Sequence, residues 1–309
     1  MSTKKRIIKD GVLNHCYQRT KDRILIFYSI SDYLVYFTLY CVVAPKHGVR
    51  VLALCLMPDH VHDSVIASNL SELAGFKKEL NTRFSKLNRE ICHHHDTLFE
   101  EPYGSALKYT DKEVRSNLVY VGNNPVERRL SKVAEDYRWS FVAYAVSNHP
   151  YSEKLVLRKS RWALRDAVRE VKSCKLKGIP LNYNQLQRMF SRLDRKEKLQ
   201  LVDFIIVCYN IIDFKAAVMR FGSYEQMLTA MHSTTGSEYD IQEHFIGRSD
   251  EHYSRITSLL MKHYRLQDIH DVLAFDENKK WEAFDLVSRE LRVPVKQIAA
   301  FLRLKLKYP

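Results

Sequence analysis

The segment CLMPDHVHDSV (55–65) sets His60 and His62 one residue apart inside an otherwise apolar run. On a β-strand, residues i and i+2 point to the same side, roughly 6.5–7 Å apart along the strand. Two imidazoles placed this way can converge on one ion. Imidazole combined with oxygen ligands suits several divalent metals. The same pair could equally be surface or hydrogen-bonded histidines. Further along, SNLVYVGNNPVERRL (116–130) puts Tyr120 and Asn124 four apart, on one face if the segment is helical. A tyrosine beside a metal site is a nucleophile candidate, because a bound cation polarises a phosphodiester and offsets its negative charge. The chain has 18 tyrosines, so a tyrosine on an apolar helix face is also a common core residue. A third cluster, CHHHD (92–96), reads as a solvated helix exit, since three adjacent histidines at a helix end cannot all face one ion.

The elements that would position these residues follow from periodicity. Residues 11–18 read as a strand. Ser31-Asp32 starts a helix to about residue 45, with Leu34, Phe37, Leu39 and Val42 on its buried side. Residues 47–58 form a second strand and 60–68 a third, split by the Pro58-Asp59 turn. On the third strand Val61 points away from the histidines, into the core, and so does Asp63, as a surface or hydrogen-bonded residue. A slip of register would make Asp63 an extra ligand. Asn69-Leu70-Ser71-Glu72 opens a long amphipathic helix with Leu73, Phe76, Leu80, Phe84 and Leu87 spaced by three or four. Residues 97–109 look extended, and Asp111 opens a further helix. The order β-α-β-β-α-β-α fits an α+β fold, a ferredoxin-like antiparallel sheet with helices. After about residue 150 strand alternation gives way to helical patterns. The expected organisation is therefore a domain over 1–150 and an all-α C-terminal domain over 151–309, with a boundary near SNHPYSEK (147–154). No internal repeat or low-complexity tract interrupts it.

Composition narrows the partners. The chain has 309 residues, enough for a large core, and 46% hydrophobic content excludes a disordered chain. Lys plus Arg number 49 against 36 Asp plus Glu, so the net charge of +13 suits a polyanion, either nucleic acid or an anionic membrane, or serves solubility alone. The apolar stretches at 33–44 and 204–212 fall short of the roughly 20 residues that span a bilayer, which makes membrane the weaker partner. The basic N-terminus has no apolar run behind it and does not read as a signal peptide. Six scattered cysteines without a CxxC pair read as reduced thiols in a cytosolic protein. No GxxxxGK[ST] phosphate loop occurs, so neither ATP use nor a fused helicase is expected.

LALCLMPDHVHDSVIA, then a long helix, then YVGNNPVERRL and YRWSF, together resemble the single-tyrosine HUH transposases. Within these the chain is most similar to the REP-associated tyrosine transposase branch. That family shows a Met-Pro-Asn/Asp-His-hydrophobic-His strand, a tyrosine opening a Tyr-x-x-x-Asn-Pro-Val segment and a Trp-Ser pair shortly after. The match covers roughly residues 10–145. The resemblance implies an HUH endonuclease domain in which His60, His62 and Asn124 are ligands of Mg²⁺ or Mn²⁺ and Tyr120 is the nucleophile. It implies cleavage and rejoining of single-stranded DNA hairpins or repeats through a 5′-phosphotyrosine, without ATP, in the cytoplasm near the nucleoid. A homodimer is compatible with it. Two positions depart from the pattern. Asp63 stands where the family is often aliphatic. Asn124 precedes a proline, which disfavours helical geometry, and Asn-Pro-Val-Glu reads as the N-cap, N1 and N3 of a new helix.

DNA contacts would come from basic side chains near the sheet: Lys4, Lys5, Arg6, Arg19, Lys21 and Arg23. His15 and Arg19 resemble the family's first-strand His and Arg. Arg128 and Arg129 follow the proposed nucleophile and could hold flanking phosphates. Tyr103 could stack an unpaired base. The stretch 154–178 carries Lys and Arg at helical spacing, as a DNA-binding or a solvated face. The C-terminal WEAFDLVSRELRVPVKQIAAFLRLKLKYP resembles a helix-turn-helix or a plain helix pair. Three rival functions remain: a non-catalytic DNA-binding regulator on the same fold, a relaxase or replication-initiator type of HUH enzyme, and a metal-free interaction protein.

Overall fold

The computed structural model describes residues 6–92, 97–233 and 250–306. Lys4, Lys5 and residues 93–96 of the CHHHD run lie outside the described residues. Strands β1 (Leu13–Arg19), β2 (Arg50–Met57), β3 (His60–Ile66) and β4 (Gly104–Lys108) form one antiparallel sheet in the order β2-β3-β1-β4. With helices α1 (Ile30–Lys46) between β1 and β2 and α2 (Leu70–Cys92) between β3 and β4, this is the expected ferredoxin-like order.

Each helix start has a local cause. The cap of α1 is Ser29, two residues ahead of the expected start. Its hydroxyl accepts from Asp32 N, and the Asp32 carboxylate accepts from Ser29 N at 2.8 Å. A capping box needs the carboxylate at N3, which places Asp32 there rather than at the cap. Asn69 and Glu72 exchange hydrogen bonds at the start of α2. Thr110 and Glu113 do the same for α3 (Asp111–Glu127).

Alternation along the strands gives the sheet two different faces. Cys16, Leu54, Leu56, Val61 and Val65 pack with α1 and α2. Leu13, Cys55 and Met57 pack with α3, which crosses the opposite face. A bulge between Val51 and Ala53 also brings Leu52 and Ala53 to the α3 side. The β2 edge is covered by chain segments. Leu56 N donates to Trp139 O at 3.0 Å and Phe141 N to Leu54 O at 2.8 Å, so the Trp139-Ser140 pair lies along β2.

Beyond residue 150 the described residues contain helices and single-residue bridges but no further strand. Helices α4 (Trp162–Leu176), α5 (Tyr183–Phe190) and α6 (Arg195–Tyr209) share the apolar cluster of α1, through Leu164, Val168, Leu201 and Ile205. Helices α7 (Phe214–Met219) and α8 (Tyr224–His232) join α3 through Ala217, Met227 and Met231. Helices α9 (Glu251–Tyr264), α10 (Glu277–Glu290) and α11 (Val295–Leu302) build a third cluster that takes in Leu25, Tyr28 and Cys92. Apolar packing thus runs across residues 147–154. In α11 only Val295 and Lys296 of the first turn are exposed, because residues 297–302 are buried, Ile298, Phe301 and Leu302 of them in that third cluster; a helix-turn-helix reader would have one turn to offer. All six cysteines are free thiols. Among the described residues no helix is long and apolar enough to cross a membrane.

Candidate active site

The α3 face of the sheet carries the side chains singled out in the sequence. On β3, His60, His62 and Ser64 share that face. The neighbouring Asp63 turns the other way and accepts two hydrogen bonds from Lys77 (2.6 and 2.7 Å) and one from Tyr40 (2.8 Å). Pairing of Asp63 with Cys16 on β1 and Leu54 on β2 fixes the register, so Asp63 is a hydrogen-bonded core residue and not a ligand. Across the strands, His62 stands opposite Tyr17 and Cys55, and His60 opposite Arg19 and Met57.

The two histidine rings lie 4.8 Å apart, centroid to centroid, at 89°. Tyr120 of α3 meets His62 and His15 across this face. Its ring is edge-on to His62 at 5.3 Å and to His15 at 5.5 Å. The fold therefore brings together His60, His62 and Tyr120 from elements widely separated in the sequence. Ser64 Oγ donates to Asn117 Oδ1 at 2.7 Å, one turn before Tyr120, and pins α3 to β3.

Asn124 is buried on the same helix, one turn after Tyr120. The expectation of a break before Pro125 is overturned: α3 runs through Pro125 to Glu127, so Asn124 is a helix-interior residue and caps nothing. Every residue from Asn117 to Pro125 is buried, and that packing outweighs the local preference of a pre-proline residue. The carbonyls near the end are still used: Arg128 N donates to Asn124 O and Leu130 N to Pro125 O. Asn124 Nδ2 donates to Tyr120 O at 3.2 Å, which leaves Oδ1 as the amide's acceptor.

His15 is buried against this group rather than offered to solvent as a DNA contact. Strand alternation on β1 puts it beneath Tyr120, stacked on His62 at 5.3 Å, with Nε2 3.1 Å from His62 Nδ1. Arg19 lies half-buried with its guanidinium 5.0 Å from the Tyr17 ring centre. Arg128 caps α3 and stands 3.9 Å from Asp250 in an ion pair. Arg129 is exposed, with a φ of +57° in the position after the cap that glycine usually takes. Tyr103, expected as a stacking platform, is buried, and Arg6 covers its ring at 3.9 Å while donating to its carbonyl. That face is closed to a base.

The roles of two residues escaped the sequence reading. Asp59, expected only as a turn residue, is fully buried with Oδ1 2.5 Å from His60 Nδ1. His15 plays the matching part for His62. The signals were present: an acidic residue directly before the first histidine, and a histidine at the right parity on β1.

Burial holds His15 down to a pKa of about 3, with Lys108 and Lys77 adding to it. Burial likewise holds His62 well below the usual imidazole range, helped by His60, His15, Arg19 and Arg128. Neutral imidazole is the form that ligates metal. The donor set fits a divalent cation. His62 Nε2 is buried and has no hydrogen-bond partner, while the Nδ1 atoms of both histidines are engaged elsewhere. Among the described residues no group of three or more His, Cys, Asp or Glu side chains could hold a metal.

No protein-family model and no curated protein matches the chain. Among solved structures the chain is similar to a REP-associated tyrosine transposase bound to a REP hairpin. The two share 16% identity with a TM-score of 0.40, over 45% of this chain and 82% of that one.

Proposed function

We propose that the protein is a divalent-metal-dependent nuclease and strand transferase for single-stranded DNA, with Tyr120 as its nucleophile. One observation carries the reading: the Tyr120 ring sits 5.3 Å from His62, which in turn sits 4.8 Å from His60. The sequence motifs around these three residues point the same way. His60 and His62, through Nε2, and Asn124, through Oδ1, are the proposed ligands, and Mn²⁺ or Mg²⁺ is the proposed ion. Bound there, the cation would offset phosphodiester charge and polarise the phosphorus centre.

The chain's own part is positioning and nucleophilic attack. The Tyr120 oxygen attacks phosphorus, a Tyr–O–P bond forms and the P–O3′ bond breaks. The phenol loses one proton and the departing 3′ oxygen takes one up, so the balance closes without ATP. The phosphotyrosine keeps the energy of the broken link for rejoining. Arg19 and Arg128, whose charges reach His62, are proposed to hold flanking phosphates of a hairpin substrate.

The test is incubation with labelled single-stranded hairpin DNA and Mn²⁺, comparing wild type with Tyr120→Phe. The expected result is a covalent adduct in wild type alone. Adducts in both would move the nucleophile elsewhere. A second reading, a non-catalytic DNA binder on this fold, is favoured by the 6% exposure of Tyr120, since a binder needs no access to that ring. Hairpin binding without adduct formation would select it.

A further inference from the structure

We infer that Asp59 and His15 are positioning residues of the metal centre, each fixing one histidine so that its Nε2 presents a lone pair to the cation. The inference rests on the metal-centre reading above and adds two residues to it.

An ionised carboxylate only accepts hydrogen bonds. With Asp59 ionised and His60 neutral, the 2.5 Å contact puts the proton of His60 on Nδ1 and leaves the lone pair on Nε2. The carboxylate is held by the backbone of its turn rather than by its own rotamer alone. Asp59 O accepts from Thr20 N at 3.3 Å and Thr20 Oγ1 at 3.2 Å. Pro58 O accepts from Ile26 N at 2.7 Å and Phe27 N at 3.2 Å. The turn before β3 is therefore tied to the segment after β1 on both of its residues.

His62 has a different support. Its Nδ1 and His15 Nε2, 3.1 Å apart, can share only one proton. If His62 carried its proton on Nε2, that N–H would be buried without an acceptor, at a cost of about 1–3 kcal/mol. The economical arrangement is Nδ1–H on His62 donating to His15, with Nε2 left for a ligand. The two histidines are thus backed unequally, His60 by a carboxylate and His62 by a neutral imidazole. Outer partners of this kind typically change metal affinity about 10–100-fold when removed.

The test uses the full chain in two readouts. Nitrogen-15 NMR of the histidine rings, without metal, reports the tautomers. Titration with Mn²⁺, followed by electron paramagnetic resonance, reports affinity. The expected wild-type result is Nδ1–H on both His60 and His62. Asp59→Ala is expected to release His60 from that tautomer and weaken Mn²⁺ about 10–100-fold. His15→Ala is expected to release His62 and weaken Mn²⁺ by less, and His15→Gln, which keeps an acceptor, to restore most of the binding. Asp59→Asn, of nearly equal volume, covers the case in which Asp59→Ala unfolds: a mixed His60 tautomer and weakened Mn²⁺ are expected. Unchanged tautomers and affinity in folded Asp59 and His15 variants would overturn the inference and leave the metal centre standing. Mn²⁺ binding by His62→Ala as tight as wild type would instead refute the metal centre itself.

Discussion

Lys77→Met is the substitution whose consequence is most directly set by the packing. Lys77 and Asp63 are both almost fully buried, one on α2 and the other on β3 between His62 and Ser64. Lys77 Nζ lies 2.7 and 2.6 Å from the two carboxylate oxygens, and Tyr40 supplies the remaining donor at 2.8 Å. Removing the ammonium leaves a carboxylate in an apolar layer with one hydroxyl for company. Such uncompensated buried charges cost about 3–5 kcal/mol. That is a large share of the roughly 5–15 kcal/mol that holds a typical domain together. At a urea slope of about 2–3 kcal/mol/M, the unfolding midpoint should fall by about 1–2.5 M. Adding Asp63→Asn removes the charge and keeps an acceptor for Tyr40, so the double variant should recover most of the loss. Circular dichroism in urea measures all three proteins. A single-variant loss under about 1 kcal/mol, or a double variant no better than Lys77→Met, would show that water or rearrangement solvates Asp63 and that the pair does not hold β3 to α2.

His270 gives a pH prediction. Burial opposes its charge, but the Asp32 and Asp268 carboxylates outweigh burial and raise its pKa to about 10. The imidazole bridges Asp268 at 2.6 Å and Asp32 at 3.0 Å, joining the segment before α10 to the start of α1. A pKa raised above the unfolded value gives stability that is complete below about pH 6.5 and lost as pH rises toward 10. Urea midpoints should therefore decline over that window in wild type and stay flatter in His270→Gln; parallel curves would refute the assignment. Gly104 sits opposite Tyr17, where any Cβ would overlap the Tyr17 ring. Gly104→Ala should destabilise by about 1–3 kcal/mol, and Tyr17→Ala in the same chain should relieve most of it, as a double-mutant cycle in urea would read.

The order of the first seven elements was legible because each has its own local cause: a period of two in the strands, a period of three to four in α2, and caps at Asn69 and near Asp111. The shared face of His60 and His62 followed from the same alternation. What was not legible depended on distant packing. The continuation of α3 through Pro125 is decided by burial between the sheet and α8, whose residues lie about a hundred positions later. Tyr103 is covered by Arg6, 97 residues away, and nothing around Tyr103 announces it. The faces of α4 to α11 tell that each helix buries something. In the fold one group lines α1, a second lies on α3 and a third takes in Tyr28.

That second group changes what the helical extension does. α3 is held from below by the Ser64–Asn117 hydrogen bond and from above by Asn123, whose Nδ2 donates to Met231 O of α8 at 2.7 Å. Gly122 lies between, and a Cβ there would be 2.8 Å from Met231 Cε and 3.0 Å from its sulfur. The glycine is what lets α8 press so closely on the helix that carries Tyr120. A single methyl at this position meets the flexible end of a methionine and gains helix propensity, so Gly122→Ala should be nearly neutral. Gly122→Val adds bulk that the methionine cannot clear, at about 1–3 kcal/mol. If α8 sets the height of Tyr120 over the histidine pair, Gly122→Val should lose hairpin adduct formation at temperatures where circular dichroism shows it folded, and Gly122→Ala should keep it. Loss of stability in Gly122→Val with adduct formation intact would make α8 a packing element with no bearing on the tyrosine.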